Sequence, residues 1–245
     1  MKYLKAIIVF LLYINNCVGQ EPAPKLVISH LAGDFYIYTT YNFYKGSRIP
    51  ANGMYLVTNK GVVMFDSPWD STQFQPLLDS IKVRHQKNVI ACIATHFHED
   101  RSGGLNFYNN KGIATYTTRQ TDELCRKNNK PRASVLIDKD SVFQVGPYSF
   151  ETYYPGPGHT ADNIVIWFEK QKILYGGCLI KSTDDNSLGN LADADVHAYA
   201  GTIKNVMNKC KKPTFMIPGH NGWESTRSLE HTYEMAKQLP GSGKN

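Results

Sequence analysis

The segment NVIACIAT, residues 88–95, is an almost unbroken apolar run, and at His96 it gives way directly to HFHEDR. A strand with one face in water alternates apolar and polar side chains. An unbroken run instead suits a strand covered on both faces, which needs helices or a second sheet packed over it. The flanking sequence supplies them. Upstream, Asp70 can cap a helix in which Phe74, Leu77, Leu78 and Ile81 recur at i, i+3, i+4 and i+7. Before it lie the strand-like runs FYIYTTYNF (35–43), MYLVT and GVVMFD, the last two on either side of the hairpin signal Asn59-Lys60-Gly61. Downstream, VFQV, YSFETYY, IVIWF, KILYGG and TFMI read as strands, and Val196, Tyr199, Ile203, Val206, Met207 and Cys210 mark one helical face. A last helix from about Ser225 carries Leu229, Tyr233, Ala236 and Leu239 on its buried stripe. No stretch rich in Pro, Gly and Ser divides the chain, so residues 21–245 are expected to form one domain of layered α/β architecture.

The first twenty residues stand apart. Lys2 and Lys5 precede the apolar stretch Ala6 to Tyr13, and Cys17 and Gly19 offer small residues for cleavage near Gln20, the pattern of a secretory signal over residues 1–20. The expectation is a soluble periplasmic protein, since the apolar run is short for a bilayer span. A lipid anchor at Cys17 is the alternative, disfavoured by the bulky polar Asn16 before it. The chain has 27 Lys+Arg against 21 Asp+Glu, so loss of Lys2 and Lys5 leaves a formal charge of +4. That surplus is spread out, with no basic cluster interleaved with aromatics, and nucleic acid is not expected as a partner. Of the remaining cysteines, Cys92 lies in an apolar strand and Cys210 on an apolar helical face, where each reads as a small buried residue rather than half of a disulfide.

The chemistry gathers where strands end. If the backbone is extended, His96 and His98 share a face, and two such imidazoles can grip one zinc while Asp100 reaches a second ion or orients the first. A lone His-x-His is as often a surface feature. Three further segments shift the balance: PGPGHTADN places His159, LYGGCLIKS places Cys178 and IPGHNGW places His220, each after an apolar strand and beside glycines that permit tight turns. The other histidines have plain roles: His85 closes a helix, His231 lies on the last one, His197 starts one, and His30 is near the ragged start.

These residues resemble a known family. H-F-H-E-D-R at 96–101, G-H-T-A-D-N at 158–163, G-G-C-L-I-K at 176–181, G-N-L-A-D at 189–193, P-G-H at 218–220 and F-D-S-P-W at 65–69 together look like a class B metallo-β-lactamase of subclass B1. The resemblance implies a four-layer αβ/βα sandwich with two zinc ions in a groove at one edge. By motif, His96, His98 and His159 would hold the first Zn2+, and Asp100, Cys178 and His220 the second. Arg101 and Cys178 set the chain apart from thioester and phosphodiester hydrolases of the wider superfamily, which commonly have histidine and a bridging aspartate there.

The implied reaction is hydrolysis of the β-lactam amide by a hydroxide shared between the metals, conferring antibiotic resistance. Two zinc ions, an Asp100 carboxylate, a Cys178 thiolate and that hydroxide leave a formal charge of about +1, which favours an anionic substrate. Asp100 and Asn190 are the candidate catalytic residues, with the Asn190 amide at the oxyanion. Lys181 and Asn190 are the candidate substrate-binding residues, with Lys181 at the substrate carboxylate. Asn190 also fits a turn and Lys181 a solvated surface. Asp66 reads as a brace for the site, Asp195 as a helix cap, and Arg101 as the partner of a buried carboxylate. Residues 41–53 read as a long connection that either folds over substrate, with Tyr44 touching it, or is a plain hairpin tip. A monomer is expected. The rival readings are a thioester hydrolase on the same fold and a non-catalytic exported zinc-binding protein.

Overall fold

The structure, a computed structural model, describes residues 25–241, so the leader at 1–20 and Cys17 lie outside the described residues. In chain order the elements are β1 (Leu26–Ala32), β2 (Phe35–Tyr44), β3 (Ser47–Val57), β4 (Val62–Phe65), α1 (Phe74–His85), β5 (Val89–Ile93), α2 (Glu99–Ser102), α3 (Leu105–Asn109), β6 (Ala114–Thr118), α4 (Arg119–Lys127), β7 (Val135–Ile137), β8 (Ser141–Val145), β9 (Tyr148–Tyr153), β10 (Val165–Phe168), β11 (Ile173–Gly177), α5 (Tyr199–Lys209), β12 (Phe215–Pro218) and α6 (Ser228–Lys237). The first seven strands form one sheet in sequence order, and the other five form a second sheet in the order β12-β11-β10-β9-β8.

The period of two along the strands decides what packs where. In β3, Met54 and Leu56 point between the sheets, where they meet Phe65 and Ile93 and, from the second sheet, Phe150, Ile166, Phe168 and Tyr175. Tyr55, between them in sequence, faces the other way, into a cluster with Phe74, Leu77 and Ile81 of α1 and Tyr108 of α3. The outer face of the second sheet presents Val165, Trp167 and Leu174 to Tyr199, Ile203 and Val206 of α5 and Leu229 and Ala236 of α6. Helix, sheet, sheet and helix therefore stack as the expected four-layer αβ/βα sandwich.

Several local expectations need correction. Residues 41–53 are not a long connection: β2 and β3 stay paired from Tyr41↔Pro50 to Tyr44↔Ser47 and turn at Lys45 (φ 49°) and Gly46 (φ 81°). Two positive φ angles in succession match the twist of a hairpin. Gly53 lies inside β3 because the Tyr38 ring occupies the space beside it; a Cβ there would sit 2.0 Å from Tyr38 Cζ. His30 belongs to β1 rather than to a ragged start. In β5, Ile90 is exposed, so the apolar run is covered on both faces only towards its end. Asp70 caps a short 3-10 turn, Ser71–Gln73, that leads into α1. Asp195 accepts from His197 N (3.1 Å) and Ala198 N (2.9 Å) just ahead of α5. Cys92, Cys125, Cys178 and Cys210 are free thiols, all buried. Among the described residues, no helix is long and apolar enough to cross a membrane.

Candidate metal centre

The end of β5, the loop after β9, the turn after β11 and the end of β12 open at one edge of the sandwich. Beyond Ile93 the chain bends through residues 95–98, and His98 precedes α2 with φ −65° and ψ 154°. These bends, rather than strand alternation, bring the His96 and His98 rings together, and Phe97 lines the same cavity as His98. His98 Nδ1 lies 3.2 Å from both His96 Nε2 and His159 Nε2. Three ring nitrogens at such spacing either share protons in N–H···N hydrogen bonds or surround a cation. Ligands 2.0–2.1 Å from one tetrahedral zinc stand about 3.3–3.4 Å apart, so the trio fits that ion.

A second set adjoins the first. Asp100 lies in the first turn of α2, Cys178 follows Gly177 (φ 52°), and His220 follows Gly219. Asp100 Oδ2 is 3.1 Å from His220 Nε2 and 3.3 Å from Cys178 Sγ, and Sγ is 3.3 Å from His220 Nε2. One oxygen, one sulfur and one nitrogen around a common point form a second donor set suited to zinc. His96, Asp100 and Cys178 also lie close enough to form a group of their own, so the two sets share a wall.

Comparison with known proteins identifies the family. Residues 47–220 match the profile described as "Metallo-beta-lactamase superfamily". The chain belongs to that superfamily, among the class B metallo-β-lactamases. It is 42% identical to "Metallo-beta-lactamase type 2" of Elizabethkingia meningoseptica over 97% of this chain and 96% of that protein. It is 43% identical to "Metallo-beta-lactamase IND-1" of Chryseobacterium indologenes over 84% and 86% of the two chains. Among solved structures, the metallo-beta-lactamase IND-7 crystal structure superposes with a TM-score of 0.84 at 42% identity, covering 87% of this chain and 98% of that one.

In this metallo-β-lactamase, residues with no place in the donor sets orient those that have one. His220 Nδ1 lies 2.8 Å from Pro50 O, so Nδ1 donates to that carbonyl and Nε2 turns its lone pair to Asp100 and Cys178. His98 Nε2 lies 3.0 Å from Asp193 Oδ2, which frees Nδ1 in the same way. Arg101, 1% exposed, fills the floor: Nε donates to Cys178 Sγ (3.1 Å), Nη1 to Asn52 O (2.6 Å), and Nη2 to Gly219 O (2.7 Å), with Asp100 Oδ2 3.0 Å from Nη2. Asp66, as a brace, accepts from Thr95 N (2.7 Å), Thr95 Oγ1 (3.0 Å) and Tyr175 OH (2.6 Å) and does not reach the donor sets. Motif reading gave no role to Asn52, Tyr175 or Asp193; only Asp193 had a signal, as the end of G-N-L-A-D.

Charges follow from burial and neighbours. Burial alone would raise the Asp100 carboxyl, but the Arg101 guanidinium beside it holds it well below the usual carboxylate range. Burial pushes the Cys178 thiol up, against the pull of Arg101 and Lys181. A metal ion that takes this sulfur therefore displaces its proton. Burial lowers His96 and His159 well below the ordinary histidine value, leaving both neutral and ready to donate lone pairs.

Both sets face a cavity of about 670 Å³ whose lining includes Tyr44, Ile49, Trp69, Phe97, Lys181 and Asn190. Tyr44 thus reaches the cavity from a hairpin tip rather than from a long loop. Lys181 is buried, not solvated, and its Nζ donates to Cys178 O at 2.7 Å. Asn190 is exposed and forms a turn through Oδ1, which accepts from Ala192 N at 3.2 Å.

Proposed function

We propose that this enzyme hydrolyses the amide bond of β-lactams with two zinc ions, one held by His96, His98 and His159 and the other by Asp100, Cys178 and His220. Cys178 carries the reading: its sulfur lies between Asp100 and His220, Arg101 donates to it from behind, and Lys181 is three residues on at the cavity wall. Three protein ligands per ion leave positions facing the cavity, which suits catalysis better than storage. Zinc, when bound, lowers the pKa of a coordinated water to about 7 and polarises a carbonyl.

The chain's own groups do the rest. Asp100, kept ionised by Arg101, places a carboxylate beside the attacking water and accepts its hydrogen bond. Lys181 pairs with the substrate carboxylate; burial lowers its pKa, while Cys178, Asp185 and Asp100 act in the other direction. Asn190 spends its oxygen on the Ala192 turn, so its Nδ2 is the group left to donate to the developing oxyanion. The biological role is β-lactam resistance, exercised by a monomer exported to the periplasm on residues 1–20.

Zinc content and hydrolysis of a chromogenic cephalosporin, measured on one preparation before and after chelation, test the reading. Two zinc ions per chain and activity lost on chelation are expected. Full activity in metal-free protein refutes the mechanism, and two bound zincs without lactam turnover favour another hydrolase or a zinc-binding protein.

A further inference from the structure

A second lysine, Lys130, lines the same cavity as Lys181. Lys181 comes from the second sheet and hydrogen-bonds through its backbone to Thr232 of α6. Lys130 comes from the first sheet's side, beyond α4, and lines the cavity with Phe97, Glu99 and Asn128. Its backbone is firmly held. At the end of α4, Asn129 takes φ 52°, Lys130 N–H donates to Cys125 O at 2.8 Å and Asn129 N–H to Arg126 O at 3.4 Å, the two bonds of a Schellman turn. Pro131 follows, and Arg132 is clamped to Asp122 through Nε (2.7 Å) and Nη2 (2.6 Å). Lys130 Nζ lies 3.8 Å from Glu99 Oε2, and Glu99 is exposed, so that pair holds the ammonium over the rim only weakly. The other acids of the lining have partners of their own: Asp193 faces His98, and Asp185 accepts from Asn221 Nδ2 and Ser182 N.

The substrate's covalent structure assigns this cation a ligand. A β-lactam carries its carboxylate beside the ring nitrogen and its acylamino group beside the carbonyl carbon, so the two project from opposite ends of the ring. With the carboxylate at Lys181, the acylamino substituent would occupy another part of the cavity, whose lining includes Phe97, Glu99 and Lys130. We propose that Lys130 binds a second acidic group on that substituent, making dianionic β-lactams favoured substrates. The proposal rests on the β-lactam reading above and adds to it a residue that discriminates among lactams.

Benzylpenicillin and its α-carboxy derivative differ by one carboxyl at the required place. The readout is the ratio of kcat/KM for the dianion to that for the monoanion, on zinc-loaded protein. In Lys130→Met the ratio is expected to fall about tenfold, or 1.4 kcal/mol, with the change carried in KM. In Lys130→Arg it should stay within about twofold, because a cation is retained. In the unaltered enzyme it should shrink as salt is raised, since the pair sits at the rim. An unchanged ratio in Lys130→Met, or an equal fall in Lys130→Arg, overturns the proposal while leaving the lactamase reading intact. Failure of the unaltered, zinc-loaded enzyme to turn over either compound refutes that reading and this proposal with it.

Discussion

Arg101→Met keeps much of the side-chain volume and removes the charge and the donor fork. Gly219 O is not orphaned, since it keeps Asn52 N–H (2.8 Å), whereas Asn52 O loses its Nη1 donor because the single Tyr175 hydroxyl proton goes to Asp66 Oδ2 (2.6 Å). Asp66 keeps Thr95 and Tyr175. Asp100 loses most, since its guanidinium partner at 3.0 Å goes and only His220 and the Cys178 thiol remain close. Removing one partner of a buried ion pair costs about 3–5 kcal/mol, and the retained donors put this case near the lower end, about 3 kcal/mol. A loss of that size is a large share of a typical total of about 5–15 kcal/mol, and at 2–4 °C per kcal/mol it lowers Tm by about 6–12 °C. Urea unfolding of metal-free protein measures it, as a lower midpoint with an unchanged slope. Adding Asp100→Asn to Arg101→Met should restore part of the loss, because the uncompensated charge is then gone. A loss below about 1 kcal/mol, or a double variant no more stable than Arg101→Met, refutes this account of the floor.

Three further outcomes are expected. Cys178→Ser should weaken the second zinc far more than Cys92→Ser does, because Cys92 Sγ faces Asp66 O at 3.2 Å rather than the donor sets; equal zinc loss in titrations of both would refute the assignment. Gly219→Ala should lower zinc affinity at least tenfold, since the added Cβ would meet Cys178 N at 2.7 Å and Arg101 Nη2 at 2.8 Å; a variant with parental zinc affinity would show that the floor yields. Metal-free protein should lose stability as pH falls. Burial depresses His96 and His159 in the folded state, the unfolded chain protonates both near pH 6.5, and so the unfolded state binds more protons below that pH. The slope should approach about 2.7 kcal/mol per pH unit for two protons, and a flat urea midpoint between pH 7 and 5 would contradict it.

The donor sets were legible because each member follows an apolar run and stands beside glycines or another candidate ligand, signals that survive in one dimension. The segment between α3 and β8 was not. β6 is ATYTT, half polar, and α4 is RQTDELCRK, whose buried positions are Thr121, Asp122 and Cys125. A helix held by Asp122 with Arg132 and by a Thr118 cap leaves no apolar stripe to find. Of the two readings of residues 41–53 the hairpin holds, and only its long strand pairing was hidden, by the loop signals Gly46, Pro50 and Gly53. Yet Pro50 spares the need for an N–H and still presents the carbonyl that orients His220, and Gly53 makes room for Tyr38. Polar contacts between residues 50–52 and 218–221 have no period in sequence, so Asn52 could be found only in three dimensions.

Asp66 shows what such contacts demand of a single position. It follows β4 with φ 67°, the left-handed region, where a non-glycine residue is held at a cost of about 1–3 kcal/mol. Asparagine and aspartate tolerate that conformation best, because their short polar side chains bond locally. The surroundings choose between the two. Thr95 N–H meets Oδ1, while Thr95 OH, Tyr175 OH and the more distant Arg101 Nη1 meet Oδ2, so the position needs two acceptor oxygens. An amide would turn a donor towards donors. The backbone carbonyl is committed as well, taking the Tyr38 hydroxyl at 2.8 Å and the Cys92 thiol at 3.2 Å. One strained residue thus ties β2, β4, β5 and β11 together next to His96 and Arg101. The left-handed turn aims its carboxylate at the Thr95 backbone, and Thr95 in turn fixes where the first imidazole of the metal centre begins.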